Sequence, residues 1–297
     1  MTIPLLHLRH QGPVLATLAK TAWQATTRQK STATPAPPAT PGPMFIQNIP
    51  PLPQTLIRDY IRHVGGDPAA YKKVVPFHLY PQWGFPIMAR TLENVPYNLM
   101  KVVNAGCVVT VNHQIPQNVS LRLRAQLQHV DATDKRVIMT QRFITETEKL
   151  PEALIVEQTA LVVLKRPKTS QKVKKEKERV PENVREIGRF RVAALSGLEF
   201  AFMTGDLNPL HWLSPYARAM GQRGAILHGF SSLARSIELM HRNLFAGDIL
   251  RITQLSVRFT RPLQLPGEAG VYIDHSGNFF TGDAPNGPAY LVGNIKT

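Results

Sequence analysis

The chain has 297 residues, of which 43% are hydrophobic, and it carries a formal net charge of +15. This mixture of apolar and charged residues excludes a disordered chain and allows one large domain or two domains of ordinary size. Its single cysteine, Cys107, excludes an internal disulfide and fits a reducing compartment.

The positive charge could attract nucleic acid, an anionic membrane surface or an acidic substrate carrier. No helix-turn-helix, zinc-ligand pattern or aromatic RNA-binding motif accompanies the basic residues, so the sequence does not support nucleic acid as a partner. No stretch reaches about 18 uninterrupted apolar residues, so we predict no transmembrane segment.

Residues 1–51 are predicted to be a flexible leader, because they contain no acidic residue and run through a proline-rich stretch at 31–43. The weakly basic part before the prolines is similar to an organellar presequence, and equally to a bacterial leader or to an over-long start ahead of Met44. We expect a cytoplasmic location, with the mitochondrial matrix as the alternative if residues 1–43 are a presequence.

Residues 52–167 are predicted to form a first domain of the α+β class. A short helix is expected at 55–64, ended by Gly65 and Gly66, and a broken apolar helix at 83–100. Apolar and polar residues then alternate with the period of half-buried antiparallel strands. These strands are expected at 119–127, 136–145 and 153–164. Cys107 is expected in a further buried strand, not as a nucleophile.

A basic linker at 168–181 is predicted to separate the two halves, within a segment (165–179) that carries eight basic residues and two acidic ones. The linker is expected to be a solvated crossing. An alternative interpretation is that part of it lies near the phosphates of a substrate.

Residues 182–297 are predicted to repeat the first domain in outline. Apolar residues from Phe230 to Leu244 recur at helical spacing, which predicts a central helix with one buried face. Short helices are expected at 198–203 and 215–220. Strands are expected at 189–194, 255–259, 270–274, 278–282 and 290–295.

The stretch from Phe202 to His211 carries the residues best suited to chemistry. Glycine, aspartate, asparagine and proline at 205–209 predict a tight, rigid loop that interrupts a helix. Asp206 and His211 would lie close together at the opening of a site held by this loop. There a carboxylate and an imidazole can divide the two proton transfers that hydration of a double bond requires. Alone, however, this pattern is an ordinary turn with a helix cap and a surface histidine.

A second segment supplies the complementary group. His228 and Gly229 precede the central helix, so the Gly229 N–H is expected to be an unpaired donor at a helix N-terminus. Such a donor can stabilise the enolate-like oxygen of a thioester while charge develops on it.

The run Gly-Asp-Leu-Asn-Pro-Leu-His at 205–211, followed by Ile-Leu-His-Gly at 226–229, resembles the MaoC-like family of (R)-specific enoyl-CoA hydratases and 3-hydroxyacyl-thioester dehydratases. The similarity covers residues 196–266, whereas the first half is similar in layout alone and lacks an Asp-x-Asn-Pro-x-His motif. The family adopts the hot dog fold, so the resemblance implies an α+β double hot dog with one active site per chain. It also allows one sheet to run through both halves.

The resemblance also implies roles for individual residues. Asp206 and His211 fall on the family's catalytic pair, which positions and activates the water, and Gly229 falls on its oxyanion donor.

Three further residues match the family. Asn208 matches a residue that braces the loop, and His228 matches a structural neighbour of the glycine. Phe259 matches an aromatic residue that lines the thioester path or simply belongs to a strand core.

The function implied is reversible conversion of trans-2-enoyl-CoA, or of the corresponding acyl-carrier-protein (ACP) thioester, to the (R)-3-hydroxyacyl thioester in fatty acid metabolism. No metal and no other cofactor is expected for such a hydro-lyase. The partners expected are an acyl-CoA or acyl-ACP substrate and a second copy in a homodimer. Two alternatives on the same fold are a non-catalytic acyl-thioester-binding protein and a thioesterase.

Overall fold

The computed structural model of the protein describes residues 5–12, 37–97, 102–164 and 178–297. Most of the predicted leader and most of the basic linker lie outside these residues. No helix within the described ranges is long and apolar enough to cross a membrane.

The first half places its helices between its first two strands. Helix α1 (Gln54–His63), a 3-10 turn (Phe77–Leu79) and helix α2 (Pro81–Thr91) lie there, and the predicted apolar helix therefore begins earlier than 83 and ends at Thr91. Alternating apolar residues build the strands, as predicted. They are β1 (Phe45–Ile49), β2 (Val102–Val111), β3 (Leu121–Ala132), β4 (Arg136–Glu146) and β5 (Leu154–Val163).

The second half repeats this arrangement, with its helices again between its first two strands. The helices are α3 (Ser196–Thr204), α4 (Ser214–Ala219) and α5 (Gly229–Asn243). The strands are β6 (Arg185–Val192), β7 (Gln254–Phe259), β8 (Gly267–Ile273), β9 (Asn278–Gly282) and β10 (Ala289–Lys296). Each lies within a few residues of the predicted position.

All ten strands pair antiparallel in one sheet, in the order β1-β3-β4-β5-β2-β7-β10-β9-β8-β6. Each half thus has the same internal order, and the halves meet where β2 pairs with β7, with Cys107 opposite Val257. One sheet therefore runs through both halves, as the resemblance allowed. Cys107 is buried in this central strand, as predicted.

Helix α5 was predicted to have one buried face, but residues 230–241 are all buried, because side chains of the first half cover the face that carries Glu238. Phe230, Leu233, Ile237 and Met240 are all buried, which confirms the helix predicted from their spacing. Burial of a complete apolar face is the main stabilising term for such a helix.

Part of the predicted leader belongs to the fold. Strand β1 lies within residues 1–51 and pairs with β3 at the sheet edge, with Gln47 opposite Leu123, so the first domain begins before residue 52. Five residues after a proline-rich stretch are too few for a clear alternating pattern, and pairing with β3 forms this strand. Residues 5–12 also pack on the protein, where Gln11 Nε2 donates to the Phe202 carbonyl at 3.0 Å.

Candidate active site

Helix α3 ends in a left-handed turn, and Asp206 follows this turn directly. Gly205 has φ of +83° and its N–H donates to the Ala201 carbonyl at 2.8 Å, the usual way in which a glycine ends a helix. The chain leaves the helix sharply at this point. The Asp206 side chain follows directly and is 21% exposed, so its carboxylate is accessible to water.

The Asn-Pro pair then forms the turn that carries His211. The Asn208 side-chain oxygen accepts a hydrogen bond from Leu210 N–H at 3.1 Å, which caps the 3-10 turn Pro209–His211. His211 Nδ1 lies 2.9 Å from the Ile226 carbonyl oxygen. Because a carbonyl can only accept, Nδ1 must carry the proton, and in the neutral ring Nε2 is left with a free lone pair.

His228 lies beneath these two residues. It is 1% exposed, it stacks on the His211 ring with centroids 3.6 Å apart and an interplanar angle of 24°, and Phe200 covers it at 4.9 Å. Burial, followed by the nearby His211, lowers the pKa of His228 to about 3, so the ring is neutral at physiological pH. Its Nε2–H donates to the Asp206 backbone carbonyl at 2.9 Å. His228 thus holds the backbone of Asp206 in place.

The fold therefore brings Asp206 and His211 together, with His228 between the loop and α5. One potential ligand atom from each of these three side chains lies within 4.8 Å of the other two. By distance alone the group could hold a metal ion. However, the lone pairs of two stacked imidazoles lie in planes that do not meet near the nitrogens, whereas a tetrahedral ion needs converging ligands. The geometry favours an acid–base pair.

Gly229 is the first residue of α5, and its N–H makes no hydrogen bond within the described part of the chain. The Phe230 N–H likewise makes none there, whereas Ser231 and Ser232 N–H both donate to the His228 carbonyl, at 3.0 and 3.1 Å. Phe259 packs directly against Gly229, where a Cβ would lie 2.7 Å from its ring. The glycine thus leaves a free backbone donor, at the positive end of a 15-residue helix, between the loop and an aromatic wall.

Several contributors to this site could not be found from the sequence. The Ile226 carbonyl selects the His211 tautomer, and a backbone group leaves no signal in a sequence. Phe85, from α2 in the first half, packs on Phe230 with ring centroids 5.3 Å apart, and Phe230 packs on Phe259 at 5.1 Å. The aromatic wall beside Gly229 is therefore built by both halves.

Two cavities lie away from this group. One, of about 570 Å³, is lined by residues of β2, β7 and β10, including Cys107 and Arg258. The other, of about 610 Å³, lies beside the turn after β7 and is lined by Arg223 and Arg261 among others. Neither cavity is lined by Asp206, His211 or Gly229, so neither contains the acid–base pair.

Comparisons with known proteins agree with this architecture. Residues 170–284 match the family model described as MaoC like domain. HtdX of Mycobacterium tuberculosis matches with a TM-score of 0.66 at 18% identity, over 85% of this chain and 99% of its own. A MaoC-like dehydratase from Phytophthora capsici matches with a TM-score of 0.68 at 16% identity, over 86% of this chain and 95% of its own.

A third solved structure carries the fold in its description. Rv0216 of Mycobacterium tuberculosis, described as having a double hotdog fold, matches with a TM-score of 0.58 at 11% identity, over 86% of this chain and 96% of its own. At such low identities these structures establish the fold, an α+β double hot dog. None of the curated protein sequences matches the chain.

Proposed function

We propose that the chain, whose residues 170–284 match the MaoC like domain, is a hydro-lyase that reversibly hydrates trans-2-enoyl thioesters to (R)-3-hydroxyacyl thioesters. One observation carries the proposal. A solvent-accessible carboxylate, an imidazole with a free Nε2 and an unpaired backbone N–H converge where the loop at 205–211 meets the start of α5.

In this proposal Asp206 and His211 hold one water molecule between them. One of the pair accepts a proton from the water as its oxygen bonds to C3 of the substrate. The same proton is then delivered to C2, so the elements of one water molecule are added and no electron donor is needed. Dehydration is the same path in reverse. General acid–base catalysis of this kind contributes about 10²- to 10⁴-fold to rate.

The Gly229 N–H is proposed to bind the thioester carbonyl oxygen. Negative charge develops on that oxygen when water adds to C3, and a preorganised donor at a helix N-terminus stabilises it. Loss of one such donor costs about 10²- to 10³-fold in kcat in enzymes with oxyanion sites. Phe259 is proposed to line the thioester beside this donor.

Asn208 and His228 are proposed to position the pair. Asn208 holds the turn that carries His211, and His228 holds the backbone of Asp206. Neither needs to change its protonation state during the reaction.

The first experiment is incubation of the purified chain with trans-2-enoyl-CoA esters of short, medium and long chain. We expect loss of the enoyl absorbance and formation of the (R)-3-hydroxyacyl product without release of free thiol. A thiol-reactive dye separates this outcome from a thioesterase, which would release CoA. If CoA esters are not converted, the same panel is repeated with ACP thioesters. Binding without conversion in both panels would replace the proposal with a non-catalytic acyl-thioester-binding protein.

A further inference from the structure

The first half retains the position at which a second site would lie. The two halves share their strand order. Helices α1 and α3 are also both followed by a glycine in the left-handed conformation, Gly65 with φ of +87° and Gly205 with φ of +83°. The segment after Gly205 carries Asp206 and His211. The segment after Gly65 is therefore its counterpart, and it carries Tyr71.

A second correspondence fixes the register of the two helices. Val75 N–H donates to the Ile115 carbonyl at 2.8 Å, and Leu227 makes the equivalent bond in the second half, also at 2.8 Å. Phe77 and Gly229 each follow two residues later and begin helical segments of equal length, 77–91 and 229–243. A phenylalanine thus stands where the second half has the glycine donor.

The counterpart position is occupied by a carboxylate from the other half. Glu238, on α5, is 4% exposed. Its Oε1 accepts from the Tyr71 hydroxyl at 2.8 Å and lies 3.0 Å from His78 Nε2, and its Oε2 lies 3.9 Å from His241 Nδ1. Gly66 closes the other side, where a Cβ would lie 2.5 to 2.7 Å from the carboxylate atoms.

His78, one of the residues around this carboxylate, has a further hydrogen-bonding partner. Tyr60, from α1, places its hydroxyl 3.0 Å from Nδ1 of His78 and 2.9 Å from the His78 carbonyl. Burial lowers the pKa of His78, and the hydrogen bond to Glu238 opposes this shift. Burial alone would raise the pKa of Glu238, but the neighbouring His241 and His78 outweigh it and hold the pKa at about 2.

The arrangement is one-directional. In the register set by Phe77 and Gly229, Glu238 corresponds to Pro86 of α2, which has no polar group to extend toward the second-half site. Of these two helical segments, only 229–243 therefore sends a carboxylate across the contact between halves. The second-half site stays open beside Gly229, and the first-half position is filled.

We propose that Gly66, Tyr71 and His78 of the first half, together with His241 of α5, form a carboxylate-binding pocket whose occupant is Glu238 of the same chain. Glu238 anchors α5 to the first half through this pocket. The ligand class that the pocket accepts is a small monocarboxylate, with one oxygen bound by Tyr71 and His78 and the other facing His241. This inference does not depend on the proposed hydro-lyase activity.

The test is chemical rescue of the full-length Glu238→Ala variant. Its thermal midpoint should fall by several degrees, because the Tyr71 hydroxyl and His78 Nε2 lose their acceptor in a buried position. Formate and acetate should then raise the midpoint saturably, whereas chloride at the same ionic strength should not. Wild type, whose pocket is filled, and Ile237→Ala, which leaves an apolar cavity on the same helix, should show no carboxylate-specific rise.

Equal effects of formate and chloride on Glu238→Ala, or an equal formate effect on Ile237→Ala, would overturn the proposal. If Glu238→Ala does not fold even in formate, a double-mutant cycle between Tyr71→Phe and Glu238→Gln replaces it. Non-additive shifts in the denaturation midpoint would support the pocket, since the two side chains would then act as one unit. Additive shifts would reject it.

Discussion

Gly229 and Phe259 are complementary in size, since a Cβ on Gly229 would lie 2.7 Å from Cδ1 and 2.8 Å from Cε1 of the Phe259 ring. The helix N-terminus and strand β7 thus approach as closely as two residues allow. Phe259 also packs on Phe230, so it belongs to the core and at the same time forms one wall beside the free Gly229 N–H. The two interpretations considered for Phe259 from the sequence are therefore compatible.

This contact predicts a specific pattern of loss and recovery. Gly229→Ala should destabilise the protein by about 1–3 kcal/mol, because the added methyl group overpacks the contact with Phe259. It should also reduce kcat about 10²-fold or more, because the N–H is displaced from the thioester oxygen. Thermal melting and steady-state rates measure the two effects.

The double variant Gly229→Ala, Phe259→Leu serves as the control. The smaller leucine makes room for the methyl group and leaves the backbone N–H in place, so both stability and rate should recover in part. Phe259→Leu alone reports the cost of losing the ring. If the double variant is no better than Gly229→Ala, steric conflict with Phe259 is not the cause.

Asp206→Asn and His211→Ala are each expected to reduce kcat about 10²- to 10⁴-fold while the fold is kept. Each removes one member of the pair that moves the protons of a single water, so the double variant should be little worse than either single one. Enoyl-thioester turnover and circular dichroism measure activity and fold. Asp131→Asn, which changes an exposed carboxylate on β3, is the matched control. Undiminished turnover by Asp206→Asn would remove the acid–base assignment.

Asn208→Ala should loosen the turn that carries His211. Its side-chain oxygen caps that turn by accepting from Leu210 N–H, and loss of such a cap costs about 0.5–2 kcal/mol. A lower melting temperature and a modest loss of kcat are expected. Asn208→Asp keeps an oxygen acceptor and should recover most of the stability. Equal losses in both variants would point to a role of the amide nitrogen instead.

Stability should rise with pH across the titration range of the buried histidines. Burial is the main reason that the pKa values of His63 and His228 are lowered from 6.5 to about 3, and the Arg235 charge adds to the effect at His63. At a pH between these two pKa values the unfolded chain binds protons that the folded chain does not, so acid favours unfolding. The stabilisation is complete above pH 6.5 and is lost progressively as the pH falls toward 3. Each histidine contributes a slope of up to about 1.4 kcal/mol per pH unit.

Urea unfolding of wild type and His63→Gln at pH 7.0 and 5.5 measures this slope. The variant should lose less stability than wild type over the interval, because one of the buried neutral rings is gone. His129→Gln, at an exposed position on β3, should follow wild type. Parallel curves for wild type and His63→Gln would show that His63 does not contribute.

The sequence alone determined the elements whose signal is local. Helical spacing from Phe230 to Leu244 predicted α5, alternation predicted β3 to β5, and the glycine and proline at 205 and 209 predicted the loop. These signals are contained within a few neighbouring residues, since a turn depends on backbone sterics and an amphipathic helix on its own periodicity. The short strand β1 escaped prediction because its stability comes from pairing with β3, more than seventy residues away.

Only the tertiary structure decided which groups act together. His211 takes its tautomer from the Ile226 carbonyl, and Glu238 lies against His78 at a separation of 160 residues. A side chain in the interior must find its partner among whatever groups packing brings near, because an unpaired buried polar group is costly. Those neighbours depend on how α5 packs against both halves of the protein. The residue types at 206, 211 and 229 could be read in the sequence, whereas the filled pocket around Glu238 depended on the contact between the two halves.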